Sequence, residues 1–216
     1  MPIKIQVLNN ILEMNDSYAA ENRRIFEEHS SFSINMMSSP GSGKTTLLER
    51  TLERIDPAQV AIIEGDMQTT KDAERLDRFG CQILQISTGN ACHLDGKMIH
   101  DAAKELDLKG VRLLVIENVG NLVCPAEFRV GEDAKVVVLS VTEGEDKPLK
   151  YPLMFREAEV CIFNKIDLLP HLDFSLDEAR ENARQINPQL KFMEVSCKTG
   201  EGLGEWTDWL TSKMKV

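Results

Sequence analysis

Met36-Met37-Ser38-Ser39-Pro40-Gly41-Ser42-Gly43-Lys44-Thr45-Thr46 is the stretch that decides the fold. It follows an apolar run over 32–37 that reads as a strand, and it opens a run of helical periodicity over 44–55. Strand, glycine-rich turn, Lys-Thr and helix in that order are what a phosphate-binding loop requires: backbone N–H groups and a helix N-terminus aimed at phosphate oxygens. Gly41 and Gly43 let the backbone curl without a Cβ clash. Lys44 brings a point charge to the β- and γ-phosphates, Thr45 offers a hydroxyl to Mg²⁺, and Pro40, Ser42 and Thr46 belong to the same cradle. Ser38 stands where the pattern G-x-x-x-x-G-K-[ST] has its first glycine, and it fits there if its dihedrals stay ordinary.

Working outward, short apolar runs alternate with helix-like stretches. The strands are expected at 32–37, 60–64, 82–86, 111–117, 134–141, 159–163 and 191–195. The helices are expected at 44–55, 70–79, 95–107, 147–157, 175–186 and 203–213. Runs such as Leu113–Ile116 and Val136–Leu139 are apolar throughout, which suits strands covered on both faces. The expected fold class is therefore α/β, a mainly parallel sheet flanked by helices, in a P-loop NTPase. No repeat or low-complexity segment interrupts it. Residues 1–30 read as an N-terminal helical arm and 31–216 as the nucleotide-binding domain. Within the arm, 3–28 has apolar positions at Ile5, Leu8, Ile11, Leu12, Tyr18, Ile25 and Phe26, and two readings stand: an outer docking helix, or one packed on its own domain.

The chain has 216 residues, 42% hydrophobic and 28% charged, which fits one large domain able to bury a core unaided. A net charge of −10 argues against broad binding to nucleic acid or anionic membranes. No apolar run is long enough to span a bilayer, and Met1-Pro2-Ile3-Lys4 begins no signal sequence, so a cytoplasmic protein is expected. The five cysteines, Cys81, Cys92, Cys124, Cys161 and Cys197, are odd in number and widely spread, which does not suit a disulfide framework.

Asn164-Lys165-Ile166-Asp167 closes the apolar run Val160–Phe163. A carboxylate there, from Asp167, accepts both N1–H and N2–H₂ of guanine, a donor pair adenine lacks. Asn164 braces the loop and the stem of Lys165 lies over the purine. Ser196-Cys197-Lys198-Thr199-Gly200 follows the last strand and resembles the Ser-Ala-Lys loop of GTPases, whose middle residue gives its N–H to guanine O6. Cys197 takes that middle place as a small buried residue. Phosphate loop and guanine motif together make the chain a GTPase that binds GTP and GDP.

Glu117-Asn118-Val119-Gly120 ends the strand 111–117 and resembles the Asp-x-x-Gly switch motif with Glu for Asp. Glu117 then holds Mg²⁺, directly or through water, and the Gly120 N–H senses the γ-phosphate. Asp66 in Glu64-Gly65-Asp66 is a second acid at a strand's carboxyl end, as a Mg²⁺ ligand or as the group that places the attacking water. Lys44, Asp66 and Glu117 are the expected catalytic set. No arginine finger is evident; Lys147 and Lys150 are available to supply charge within the chain or across a dimer.

Cys92, His93 and Cys124 are potential soft ligands, suited to Zn²⁺ or Ni²⁺ better than to Mg²⁺. Neighbours on a helix diverge by about 100°, so Cys92 and His93 converge only in a turn, which Gly89-Asn90 would provide. Buried core cysteines are the competing reading. Cys124 lies just beyond Gly120, on the stretch that should move with the γ-phosphate.

Beyond these elements the sequence resembles the HypB family, GTPases that help insert nickel into nickel–iron hydrogenase. The resemblance rests on Ser39–Thr45, Glu64-Gly65-Asp66, Ala91-Cys92-His93-Leu94, the run Ile116–Pro125 and Asn164–Asp167. It implies a SIMIBI-type G domain and a slow GTPase that dimerises when GTP-bound. It also implies a nickel or zinc site of Cys92, His93 and Cys124 near the dimer interface, and as partners the zinc-containing nickel chaperone HypA and, through it, the hydrogenase large subunit. No N-terminal Cys-rich or His-rich nickel-storage tract is matched, and Lys97 stands where some members carry a second His, with His100 further on. Three alternatives remain. A urease-type nickel GTPase would carry a Cys-Pro-His motif, but Ala126 follows Pro125. A cobalamin-enzyme chaperone would not need the Cys/His set. A guanine-nucleotide-binding scaffold would use its cysteines for packing.

Overall fold

A computed structural model describes residues 7–66, 70–89 and 91–214, with residues 7–10 described as backbone only. Ile5 and Asn90 lie outside the described residues, as does the side chain of Leu8. The chain runs α1 (Val7–Glu28), β1 (Phe32–Ser38), α2 (Lys44–Leu52), β2 (Val60–Asp66), α3 (Lys71–Asp77), β3 (Gln82–Ser87), α4 (Gly96–Glu105), β4 (Leu113–Glu117), α5 (Cys124–Glu127), β5 (Ala134–Ser140), α6 (Lys147–Lys150), α7 (Pro152–Glu157), β6 (Val160–Asn164), α8 (Leu176–Ile186), β7 (Lys191–Val195) and α9 (Leu203–Lys213).

The strands form one sheet in the order β3-β2-β4-β1-β5-β6-β7, every pair parallel. The α/β class expected from the apolar runs is what the structure has, because β1, β4, β5 and β6 are buried along their whole length and must be covered on both faces. One face packs Ile34, Met36, Ile62, Val115 and Val136 against Leu47 and Leu48 of α2 and Trp206 of α9. On the other, Met37, Val137 and Phe163 meet α7 and α8, while Ala61, Ile63, Leu114 and Ile116 meet α1 and α4. The chain winds outward from β1 to β3 and then back through β4 to β5. Its direction therefore reverses beside β1, and the crevice above the carboxyl ends there is where such sheets bind ligands.

The 147–157 stretch is two helices. Tyr151 breaks it at φ −126°, ψ 55°, because Pro152 disfavours the helical region for the residue before it. The one-turn helix α5 arises where Pro125 occupies the first helical turn, a place that needs no N–H. Helix α1 lies along α4. Asn15 accepts from Gly96 N at 2.7 Å and donates to Arg129 O at 2.8 Å, and Asn22 donates to Gly96 O and Val130 O. The buried Ala19 and Phe26 complete the contact.

Candidate functional site

The phosphate loop leaves β1 as the sequence leads one to expect. Ser38 is the last residue of the strand and is fully buried. Its hydroxyl accepts from Lys44 Nζ at 2.8 Å and donates to Ser39 O at 2.7 Å. The serine in the glycine's place thus holds the lysine, an arrangement the motif did not foretell. Gly43 takes φ 99°, and a Cβ there would sit 2.5 Å from the Asn164 amide. A glycine is required because the guanine loop is pressed onto the phosphate loop. Asn164 Nδ2 donates to Ser42 O at 2.8 Å, and Lys165, in the left-handed region at φ 65°, donates from Nζ to Gly41 O at 2.7 Å. Asp167 accepts from Ser196 Oγ at 2.7 Å, with Lys198 Nζ 3.9 Å away. The Cys197 thiol donates to Asn164 Oδ1 at 3.5 Å, and burial pushes it up to about 11, which keeps it a protonated, unreactive thiol beside the Asn164 loop.

Pro40, Gly41, Lys44, Thr45, Thr46, Asp66 and Glu117 line one cleft of about 460 Å³. Thr45 Oγ1 donates to Glu117 Oε1 at 2.7 Å, while Glu117 Oε2 is buried with no hydrogen-bond partner among the described residues. The strand register sets Glu64 beside Glu117, and Glu64 Oε2 is likewise buried and unpartnered. Burial and the neighbouring Glu117 raise the Glu64 carboxyl to about 8; burial also raises Glu117, against the pull of Lys44. Burial lowers Lys44 in turn, with Glu117 opposing. Two buried carboxyl groups and a hydroxyl at one spot are an oxygen donor set whose ionisation a bound cation would favour, which fits Mg²⁺.

Sequence reasoning missed Glu64, whose signal is an acid closing the apolar run Val60–Ile63. It also missed Arg75, which lines the same cleft from α3 and donates to Thr46 Oγ1 at 3.0 Å and to Glu49. Lys147 lies 3.8 Å from Glu143, which accepts from Ser39 Oγ at 2.5 Å. Lys150 is paired with Asp146 on the surface.

Cys92, His93 and Cys124 converge. Their ligand atoms lie within 4.8 Å of one another, each residue half-buried. Cys92 Sγ is 2.8 Å from Cys124 Sγ and 3.7 Å from His93 Nδ1. Cys92 and His93 occupy the bend before α4 rather than the helix, which resolves their expected divergence. Cys124 opens α5, where Asn121 Nδ2 donates to its sulfur at 3.7 Å. The His93 ring packs on Phe128 at 4.1 Å, and burial lowers its basicity, leaving a neutral nitrogen to ligate. Two sulfurs and an imidazole suit a soft or borderline divalent cation and leave a coordination position open.

The two sites touch through backbone. Gly120 is packed so closely on Pro40 of the phosphate loop that a Cβ would lie 3.0 Å from its backbone. Leu94, the residue after His93, fills the space beside Gly65, and its N–H donates to Asn118 Oδ1 at 3.0 Å.

Comparison with known proteins adds the family. The CobW/HypB/UreG nucleotide-binding domain matches residues 33–194. The chain is 54% identical to the hydrogenase maturation factor HypB of Rhizobium leguminosarum bv. viciae over 95% of its length and 69% of the relative's. It is 49% identical to HypB of Escherichia coli K12 over 97% of its length and 72% of the relative's. Among solved structures it matches HypB from Helicobacter pylori in complex with nickel, at 38% identity and a TM-score of 0.89 over 93% of this chain and 95% of that one.

Proposed function

Since this chain belongs to the CobW/HypB/UreG family, on the HypB branch, we propose that it hydrolyses GTP to regulate the delivery of nickel during nickel–iron hydrogenase maturation. The observation that carries the reading is the convergence of Cys92, His93 and Cys124 from two segments that also touch the nucleotide cleft, one through Gly120 against Pro40 of the phosphate loop and the other through Leu94 against Gly65 at the end of β2.

In this account Asp167, the backbone at Cys197 and the stem of Lys165 hold guanine, while the loop 40–46 and Lys44 hold the phosphates. Thr45 and Glu117 would hold Mg²⁺, with Asp66 as a further ligand or as the group that places water, and the ion would supply positive charge for phosphoryl transfer. Lys44 donates to the phosphate oxygens, exchanging its bond to Ser38 Oγ for them. The Gly120 N–H, beside Pro40, reads the γ-phosphate and shifts the segment leading to Cys124. Nickel is the cargo of the Cys92/His93/Cys124 set, and zinc fits the same donors.

The open coordination position and Val123, 53% exposed next to Cys124, support a second copy docking over the site when GTP is bound. Lys147, held near Ser39 through Glu143, would then lie close to the phosphates. HypA as metal donor, the hydrogenase large subunit as destination and a cytoplasmic location belong to the same reading. The rival is a guanine-nucleotide scaffold with structural cysteines. Cys92→Ala and Cys124→Ala separate the two. Lost Ni²⁺ binding with nearly unchanged stability supports ligands, whereas about 1–3 kcal/mol of lost stability with unchanged metal binding supports packing.

A further inference from the structure

A polar chain runs through the core beneath both loops of the soft-metal site. Asn118 Oδ1 accepts from Leu94 N at 3.0 Å, one residue past His93, and Asn118 Nδ2 donates to Asn35 Oδ1 of β1 at 3.1 Å. Asn35 Nδ2 donates onward to Glu132 Oε1 at 3.4 Å. The Lys135 ammonium lies 3.8 Å from that same oxygen and donates to Ala126 O at 2.9 Å, two residues past Cys124. Asn35, Asn118 and Lys135 are buried, Lys135 at 7% exposure, and the side chains of Glu132 and Lys135 are both 6% exposed.

Such a chain is expensive. An ammonium and a carboxylate out of water cost several kcal/mol each, and an apolar pair would pack a buried strand as well or better. What this pair does that an apolar pair cannot is bind backbone. The carbonyls of a one-turn helix have no partners within it, and Lys135 satisfies one in α5. Its positive charge also sits at the carboxyl end of the helix, where the peptide dipoles favour it. At the far end of the chain, Asn118 fixes the residue after His93. One buried relay thus ties down the segment carrying Cys92 and His93 and the segment carrying Cys124, which no strand pairing joins directly. Glu132 is itself fixed, since its Oε2 accepts from Val130 N at 2.7 Å.

We propose that Lys135 and Glu132, acting through Asn35 and Asn118, are positioning residues of the soft-metal site that hold its two loops at ligating distance. The inference rests on the nickel reading above. It predicts that metal binding depends on residues that touch no metal and lie beneath the ligands in β1, β5 and the turn before β5.

The test uses the full chain, Ni²⁺ in competition with a chromogenic chelator, and the sulfur-to-nickel charge-transfer absorption. Lys135→Met removes the ammonium at similar length. The double variant Glu132→Gln/Lys135→Met leaves no unpaired charge in the core and so protects folding. Both are expected to bind Ni²⁺ about 10–100-fold more weakly and to shift the charge-transfer band, with GDP affinity unchanged. Wild-type nickel affinity and spectrum in the folded double variant would overturn the proposal. So would a nickel loss matched by an equal loss of GDP affinity, since that marks a general structural role. Cys124→Ala in the same assay separates the two levels. If it keeps its nickel, the nickel reading itself fails; if it loses nickel while both relay variants keep theirs, only the relay fails.

Discussion

Gly65→Ala should damage the protein from the magnesium side and be felt at the soft-metal loop. An added Cβ would lie 2.7, 2.8 and 2.9 Å from Cγ, Cδ1 and Cδ2 of Leu94. Carbon atoms in contact prefer about 3.5–4.0 Å, so three atoms are too close at once. Leu94 cannot swing aside. Its side chain has no exposure, and its N–H is held by Asn118. Overpacking of this kind costs about 1–3 kcal/mol. In a chain of this size each kcal/mol moves the melting temperature by about 2–4 °C, so a fall of roughly 2–12 °C is expected. Nickel affinity should drop with it, because Leu94 follows His93. A double-mutant cycle isolates the cause. Leu94→Ala alone should cost about 2–5 kcal/mol, and Gly65→Ala added to it should cost almost nothing. If Gly65→Ala is as harmful without the Leu94 side chain as with it, the collision is not the cause and the reasoning fails.

Other outcomes follow from single groups. Glu64 in the folded chain titrates near 8 against an ordinary 4.5, so folding takes up a proton between those values. Its contribution to stability is whole below about pH 4.5 and is lost as pH rises through 8. Glu64→Gln should flatten that slope in urea unfolding of the nucleotide-free protein without Mg²⁺, and an unchanged slope would assign it to another group. Asp167→Asn should weaken GDP by at least tenfold, since a hydrogen bond to a charged group contributes about 1.5–3 kcal/mol. It should also favour xanthine diphosphate, whose carbonyl accepts from the new amide; undiminished GDP binding in a fluorescence titration would refute the base assignment. Asn187 donates to Phe155 O in the last turn of α7 at 3.1 Å and to Ala158 O just beyond it at 3.0 Å. Asn187→Ala should therefore destabilise the fold by about 1–3 kcal/mol in chemical denaturation, with GDP affinity unaltered.

The sheet was legible because its inner strands β4, β5 and β6 are buried along their length and carry apolar runs bounded by turns. The phosphate loop and Asn164–Asp167 were legible because their chemistry is local to a few consecutive residues. The break at Tyr151 was open to reading too, since Pro152 follows it, but helical periodicity on both sides hid it. Long-range pairing was not legible. Nothing local to Ser38 says that its hydroxyl will hold Lys44, and only the register of β2 with β4 brings Glu64 beside Glu117. Lys135 gave a faint signal, a charged residue near the start of the fully buried strand Ala134–Ser140. Glu132 is its local neighbour three residues back, but Asn35, which continues the relay from Glu132, comes beside them only once β1 and β5 are paired. Cys92, His93 and Cys124 fall between these cases. Their residue types announce a soft site, and the fold supplies the approach.

The central claim is that the nucleotide sets the affinity of the Cys92/His93/Cys124 site. The most direct measurement is calorimetric titration of Ni²⁺ into the full chain with Mg²⁺ present, at one pH, once with GDP and once with a non-hydrolysable GTP analogue. Coupling through Gly120 and Leu94 predicts affinities that differ by at least about fivefold, the lower end of ordinary coupling between sites, and a difference that vanishes in Cys124→Ala. Equal affinities in the two nucleotide states would contradict it.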